Sequence, residues 1–156
     1  MSAPDDSRAE RVRELVATIG DALGLGADVA VEQDPDGIRA ILEGEDLGLF
    51  IGRHGQTIDA VQHLAFKVAN RDAGRDSAVR VTVDAAGYRS RREQVLHRQA
   101  EQAASKAARS GRPVALDAMS ASERKIVHEF LKDRDDVETY SEGTEPDRHL
   151  VVAPLE

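Results

Sequence analysis

Apolar residues at Val12, Leu15, Val16, Ile19 and Leu23 recur three and four positions apart. That spacing predicts a helix from Arg8, closed by Gly24 and Gly26. The period then changes. Val29 and Val31 alternate with polar neighbours over residues 28–33, and residues 38–42 form a second apolar run. Between them, Asp34-Pro35-Asp36-Gly37 places proline and glycine for a tight turn, so a hairpin is predicted. Residues 46–51 read as a short helix ending at Gly52. Ile58, Val61, Leu64, Ala65 and Val68 then mark one face of a longer helix reaching about Asn70. A polar loop over 71–77 leads to Val79, Val81 and Val83, which alternate with Arg80, Thr82 and Asp84 as a half-buried strand does. The predicted order is helix, strand, strand, short helix, long helix, strand. Residues 1–7, ahead of this pattern, are expected to be a disordered tail.

A second pattern begins near Tyr88. An alanine-rich helix with a basic start, YRSRREQVLHR, runs to about Ser110, with Gly111 as its stop and Pro113 beyond. A short extended piece follows over 113–116. Ser120 and Glu123 have capping-box spacing, and the helix they open is predicted to turn Ile126, Val127, Phe130 and Leu131 inward. Residues 137–141 and 148–152 read as strands around the turn-rich EGTEPD. The reading is therefore α+β in two small domains, residues 8–85 and 86–154.

Composition narrows the function. The chain has 156 residues and no cysteine, which excludes disulfides and thiolate metal sites and suits a reducing compartment. No stretch approaches the roughly 18 apolar residues of a membrane span, and the N-terminus has no apolar signal core, so a cytoplasmic protein without membrane insertion is expected. Net charge is −8, against promiscuous nucleic-acid binding, but it is unevenly spread. Residues 1–47 carry 4 basic and 12 acidic side chains, residues 48–112 carry 12 and 6, and residues 113–156 carry 5 and 11. Screening acts over about 8 Å at physiological salt, so acidic ends need not cancel a basic middle. Three Phe, two Tyr and no Trp disfavour folds that stack bases on aromatic platforms.

The candidate chemistry sits in Gly52-Arg53-His54-Gly55. Two glycines allow a tight turn and close backbone approach by a ligand. The helix that follows offers unpaired N–H groups at its start, where an anion would sit. Arg53 and His54 add side-chain donors. A phosphate backbone uses all of these together; a plain corner between helices with surface cations has the same four residues. Farther on, Arg124 and His128 are four apart on the capped helix and therefore neighbours on one face. Guanidinium can offer a planar fork to phosphate oxygens and imidazole one further donor; taken singly, Arg124 reads equally as an exposed helix cation and His128 as a histidine packed against a neighbouring strand.

With a helix and hairpin before it and a valine strand after it, IGRHGQTIDAVQHL resembles a KH domain of the helix-first, type II arrangement, with three strands and helices on one face. The resemblance implies that Gly52, Arg53, His54 and Gly55 clamp the sugar-phosphate backbone of a single strand, with Ile51 and Ile58 beside an apolar groove for about four nucleotides. The stretch SERKIVHEF followed by TYSEGTEPDRHLVV resembles the R-3-H domain, named for its Arg-x-x-x-His spacing, a small α/β unit with a three-stranded sheet and two helices. It implies that Arg124 and His128 contact phosphates, with Arg148 on the same pattern, near the pair or tied to Glu142 or Glu145. The two units in this order resemble the Jag (SpoIIIJ-associated) family of bacterial KH/R-3-H proteins over about residues 25–153. Members often carry an additional N-terminal Jag domain; here a short acidic helical segment precedes the KH unit. The family implies single-stranded RNA as ligand, with single-stranded DNA as the variant, a post-transcriptional role, and a second small KH-domain protein as partner. No cofactor or metal is expected.

Two other functions stand beside RNA binding. One is an adaptor whose KH unit mainly docks a partner, for which the acidic ends and the long helix are suited. The other, a distant third, is a nuclease using His54 or His128 as an acid–base group; none of the familiar catalytic signatures is present.

Overall fold

The computed structural model describes residues 4–156, with side chains from Ser7. The backbone is already helical at Pro4, so part of the tail expected over residues 1–7 is the first turn of a helix and the rest lies outside the described residues. The chain divides into two compact units, the first ending at Arg89 and the second beginning at Ser90.

The first unit runs α1 (Pro4–Ala22), β1 (Asp28–Asp34), β2 (Gly37–Glu43), α2 (Gly48–Ile51), a 3-10 turn at Arg53–Gly55, α3 (Gln56–Ala69), a 3-10 turn at Arg75–Ser77 and β3 (Val81–Ala85). The hairpin turn is fixed by Asp34, whose Oδ1 accepts from the amides of Asp36 and Gly37 at 2.8 and 3.1 Å. Strand order is β1-β2-β3, with β1 antiparallel and β3 parallel to β2. A parallel pair needs a crossover, and α2 with α3 supplies it. Register places Ile38 opposite Val81, Ala40 opposite Val83 and Leu42 opposite Ala85. All six are buried, on the one sheet face that meets Val12 and Val16 of α1, Phe50 of α2, and Ile58, Val61 and Ala65 of α3.

β3 starts two residues later than its valines suggest. Asn70, just past α3, donates from Nδ2 to the Val79 carbonyl and accepts at Oδ1 from the Val79 amide, at 3.0 and 2.8 Å. With both main-chain groups satisfied by one side chain, Val79 has no need of a strand neighbour.

The second unit takes most of α4 (Tyr88–Ser110), then β4 (Val114–Ala115), α5 (Ala121–Leu131), β5 (Val137–Glu142) and β6 (His149–Pro154). The sheet order is β4-β6-β5, antiparallel throughout. Leu96, Ala100, Ala103, Ala104 and Ala107 form one buried side of α4 against Val127 and Leu131 of α5 and Val137, Leu150 and Val152 of the sheet. Alanine gives close backbone approach and the best helix propensity.

Two expectations on α5 change. Ser120 Oγ accepts from the Glu123 amide at 3.3 Å, the first half of a capping box. The reciprocal half is replaced: Glu123 Oε1 accepts from Arg92 Nε at 2.6 Å, because a buried carboxylate gains more from a guanidinium than from an amide. Phe130, expected inside, is 40% exposed and stacks on His97 with ring centroids 4.2 Å apart. Both units together match the α+β class and the element orders expected for a helix-first KH unit followed by an R-3-H unit.

The boundary expected after residue 85 and the break after Arg89 differ for a reason. Arg89 donates from Nη1 to Asp59 Oδ1 at 2.9 Å, from Nη2 to Gln62 Oε1 at 3.0 Å, and from Nε to the Val83 carbonyl at 2.8 Å. The first residues of α4 therefore belong to the first unit.

Candidate nucleic-acid interface

In the first unit, α2 closes at Gly52, whose amide donates to the Gly48 carbonyl at 2.9 Å. Gly52 has φ 74° and ψ 176°, a region open in practice to glycine alone. A Cβ there would meet Thr57, at 2.8 Å from its amide nitrogen and closer still to its hydroxyl. His54 follows with φ 54° and ψ 27°, the left-handed region, where histidine is among the better tolerated non-glycine residues. Gly55 is buried with φ 78°, and a Cβ on it would meet the Tyr88 ring at 2.9–3.0 Å. The turn therefore rests on Thr57 on one side and Tyr88 on the other.

Two loop amides are turned inward, Gly55 to the Gly52 carbonyl at 3.3 Å and Gln56 to the Arg53 carbonyl. The Arg53 and His54 amides have no hydrogen-bond partner among the described residues, and both side chains are exposed. α3 then opens with no side-chain cap. Its first turn carries Asp59, an acid that would repel an anion at this helix start. The ion pair to Arg89 at 2.9 Å offsets it. Ile58 is fully buried in the core and cannot line a groove; Ile51 is half-buried. The exposed large apolar side chains on the two helices that flank the loop are Leu49 of α2, 67% exposed, and Leu64 and Phe66 of α3, 49% and 37% exposed.

The second unit brings the predicted residues together with different commitments. Arg124 is buried. Its Nη1 donates to the Met119 carbonyl at 2.7 Å, and its Nη2 meets Glu145 Oε1 at 3.1 Å. The Met119 amide in turn donates to the Arg148 carbonyl at 3.2 Å, so Met119 joins the main chain of Arg148 to the guanidinium of Arg124. The Arg148 side chain takes neither acid considered from sequence: Nη1 donates to the Gly143 carbonyl at 2.6 Å. Glu145 is on Arg124, and Glu142 is 3.5 Å from His149. His128 lies against β5, with Nδ1 2.7 Å from Thr139 Oγ1 and Nε2 3.5 Å from Ser141 Oγ. Among the described residues, no group of three or more His, Cys, Asp or Glu is placed to hold a metal ion, and no helix is long and apolar enough to cross a membrane.

Sequence reasoning missed Thr57, Tyr88 and Glu145 as supports of these sites. Thr57 acts from five residues along the chain and Tyr88 and Glu145 from 33 and 21 residues away, and none stands at a spacing that periodicity registers. Glu145 alone had a signal, its place in the EGTEPDR string.

Comparison with known proteins follows the same division. Residues 9–83 match the KH-domain model of the KhpA/KhpB type, and residues 94–154 match the R-3-H domain model. The RNA-binding protein KhpB of Bacillus subtilis is 33% identical over 146 residues, covering 92% of this chain and 69% of that protein. The chain belongs to the KhpB family. The KhpB of Clostridium symbiosum is 34% identical, over 92% of this chain and 65% of its own length. That of Lactiplantibacillus plantarum is 34% identical over 97% of this chain but only 46% of its own length. The chain thus spans between about half and two thirds of these KhpB proteins.

Within this KhpB-family chain, His128 carries a pH signature. Burial, then the Arg124 charge, hold its imidazole below the ordinary value of 6.5, against a smaller opposing pull from Glu129. The folded state therefore favours the neutral ring. The stability this gives is fully present above the ordinary histidine value and is lost as pH falls through the folded one. His128→Asn is expected to flatten the fall in melting temperature between about pH 7 and pH 5, read by thermal denaturation. An unchanged profile would mean that His128 titrates alike in the folded and unfolded chain.

Proposed function

We propose that this protein binds single-stranded RNA through its phosphate backbone, in a post-transcriptional role in the cytoplasm. The grip comes from two places, the Gly52-Arg53-His54-Gly55 loop and the Arg124, His128 and Arg148 group. One observation carries the reading: a left-handed turn exposes two cationic-capable side chains, with two unpartnered amides, at the uncapped start of α3. That arrangement presents several donors to one anion, and Asp59, the acid in the first turn of α3, is paired with Arg89. The names of the KhpB relatives support RNA as the polymer.

In the second group the roles divide. Arg124 holds the β5–β6 loop through Glu145, and a phosphate would compete for the same guanidinium nitrogen. His128 has a neutral ring whose Nδ1 is taken by Thr139, so it can donate to a phosphate from Nε2 in place of the 3.5 Å contact with Ser141, and Arg148 lies at the loop edge. Sequence preference is expected to be modest, because backbone contacts position a strand without reading its bases.

Arg53→Asp/His54→Asp is expected to weaken binding of a short single-stranded RNA at least several-fold, read by fluorescence anisotropy across salt. The slope of log affinity against log salt should become shallower by about 0.7 for each phosphate no longer engaged. Unchanged circular dichroism must accompany the weaker binding. Wild-type affinity in this variant would refute the loop assignment.

A second reading, that the KH unit docks a second small KH-domain protein, is favoured by the exposed Leu49, Leu64 and Phe66 of the first unit. Leu49→Ser/Leu64→Ser separates the two. Under the docking reading it abolishes co-purification of a partner and leaves RNA affinity intact.

A further inference from the structure

The cations of α4 are not used by either grip, and the structure sorts five of them, Arg89, Arg92, Arg98, Lys106 and Arg109, into two kinds. Arg89 is committed to Asp59 and Gln62, and Arg92 to Glu123. Arg98 and Arg109 are exposed. At about 100° per residue, Arg109 lies some 20° around the helix from Arg98, and Gln102 some 40°. Lys106, also exposed, stands on the flank of that line. At 1.5 Å per residue the Arg98–Arg109 span is about 16 Å. All these positions are in the second unit, on the opposite side of α4 from its buried alanines.

The nearest acids on this helix do not neutralise the row. Glu101 is held by Arg134 at 2.7 Å, and Glu93 lies some 140° around the helix from Arg98. Arg109 spends only its Nε on the helix, on the Ser105 carbonyl at 3.2 Å. Beyond the helix end, Arg112 is also exposed. In a chain of net charge −8, a row of exposed cations separated by amide and hydroxyl side chains is complementary to a polyanion. A second copy of this acidic chain would bring carboxylates too, but without the regular repeat that lets one extended strand meet successive cations. Two protein domains each holding a few nucleotides also leave a longer RNA with a backbone that must run somewhere.

We propose that the exposed Arg98–Arg109 side of α4 is a further binding track for the sugar-phosphate backbone of single-stranded RNA, separate from the two grips. This rests on the RNA-binding reading above. The track is sequence-independent: point charges along a helix read no base edges. It adds affinity for longer strands and little for strands short enough to be held by one grip.

The test compares the full chain with Arg98→Glu/Arg109→Glu and with the loop variant Arg53→Asp/His54→Asp, on oligouridylates of two lengths, one just filling a KH groove and one several times longer. The row variant is expected to bind the long strand at least fivefold more weakly, with a salt slope shallower by about 1.4 for two fewer phosphates engaged, and to bind the short strand as wild type does. Arg98→Lys/Arg109→Lys should retain the long-strand affinity. Melting temperature should fall only slightly, since the replaced side chains are exposed and what is lost is the Arg109 bond to the Ser105 carbonyl and a cation in the last turn of α4. Wild-type affinity and slope for the long strand in the row variant would overturn the proposal, while weakening confined to the loop variant would overturn it and leave the KH grip standing. A row variant that binds RNA normally but no longer self-associates in sedimentation would reassign the row to a protein contact and overturn it equally.

Discussion

Gly52→Ala is expected to destabilise the first unit and disable its loop together. The residue sits at φ 74° and ψ 176°, where a side chain costs on the order of 1–3 kcal/mol. Steric conflict adds to that, because a Cβ would lie 2.8 Å from the Thr57 amide nitrogen as well as against the Thr57 side chain. The amide belongs to the first turn of α3 and has nowhere to go. The chain can relieve the conflict only by moving the loop off the helix start, which separates the Arg53 and His54 amides from the start of α3. The expected result is a urea midpoint lower by an amount equivalent to about 2 kcal/mol, with RNA affinity reduced tenfold or more even well below the midpoint. Thr57→Gly in the same chain should recover part of the stability, because it removes the side-chain clash but leaves the amide and the dihedral strain. Wild-type stability in Gly52→Ala would mean that the loop adopts another conformation in solution.

The second large effect is at Arg124. Arg124→Met keeps much of the volume and removes the fork. The Met119 carbonyl is then left without a 2.7 Å donor in a buried setting, and an orphaned buried polar group costs about 1–3 kcal/mol. The Glu145 interaction adds less. Its carboxylate is 61% exposed, and pairs open to water contribute about 0–1 kcal/mol. Arg124→Met is therefore expected to lower stability by about 2 kcal/mol, most of it from one carbonyl. Glu145→Gln separates the two halves. It should cost under about 1 kcal/mol and, by removing the carboxylate that occupies Arg124 Nη2, tighten RNA binding a few-fold. Thermal melts and anisotropy on the same preparations read both numbers. Weaker RNA binding by Glu145→Gln would mean that the carboxylate positions Arg124 for phosphate instead of competing with it.

These two sites also mark what a linear chain discloses. The turn at Gly52–Gly55 is legible because a backbone that needs left-handed dihedrals must draw on glycine, and two of them three apart before an amphipathic run form a local pattern. The helices α1 and α3 and the β1–β2 hairpin are legible for the same reason: periodicity is local. Arg124 and His128 are legible as neighbours, since four residues make one helical turn. Their availability is not. Whether a guanidinium is free depends on Met119 and on Glu145, which is 21 residues away, and such pairings leave no period. The start of β3 escapes the valine alternation because Asn70 satisfies Val79 from across a loop. Phe130 lies outside the core that its spacing predicts, because hydrophobic periodicity ranks residues by type and knows nothing of His97. The glutamate of the apparent capping box turns to Arg92, and no sign in the sequence says that a guanidinium would be near.

Because Tyr88 lies under Gly55 and Arg89 reaches Asp59, the expected seam after residue 85 is not where the protein can be cut. An excised first module ending at residue 85 would leave the Gly52–Gly55 turn without Tyr88 beneath it and Asp59 without its Arg89 partner, so weak RNA binding by that piece would say nothing of the intact chain. Two residues written into the opening of the next helix complete the module before it. Any chimera that joined this first module to a different second unit would have to keep that pair.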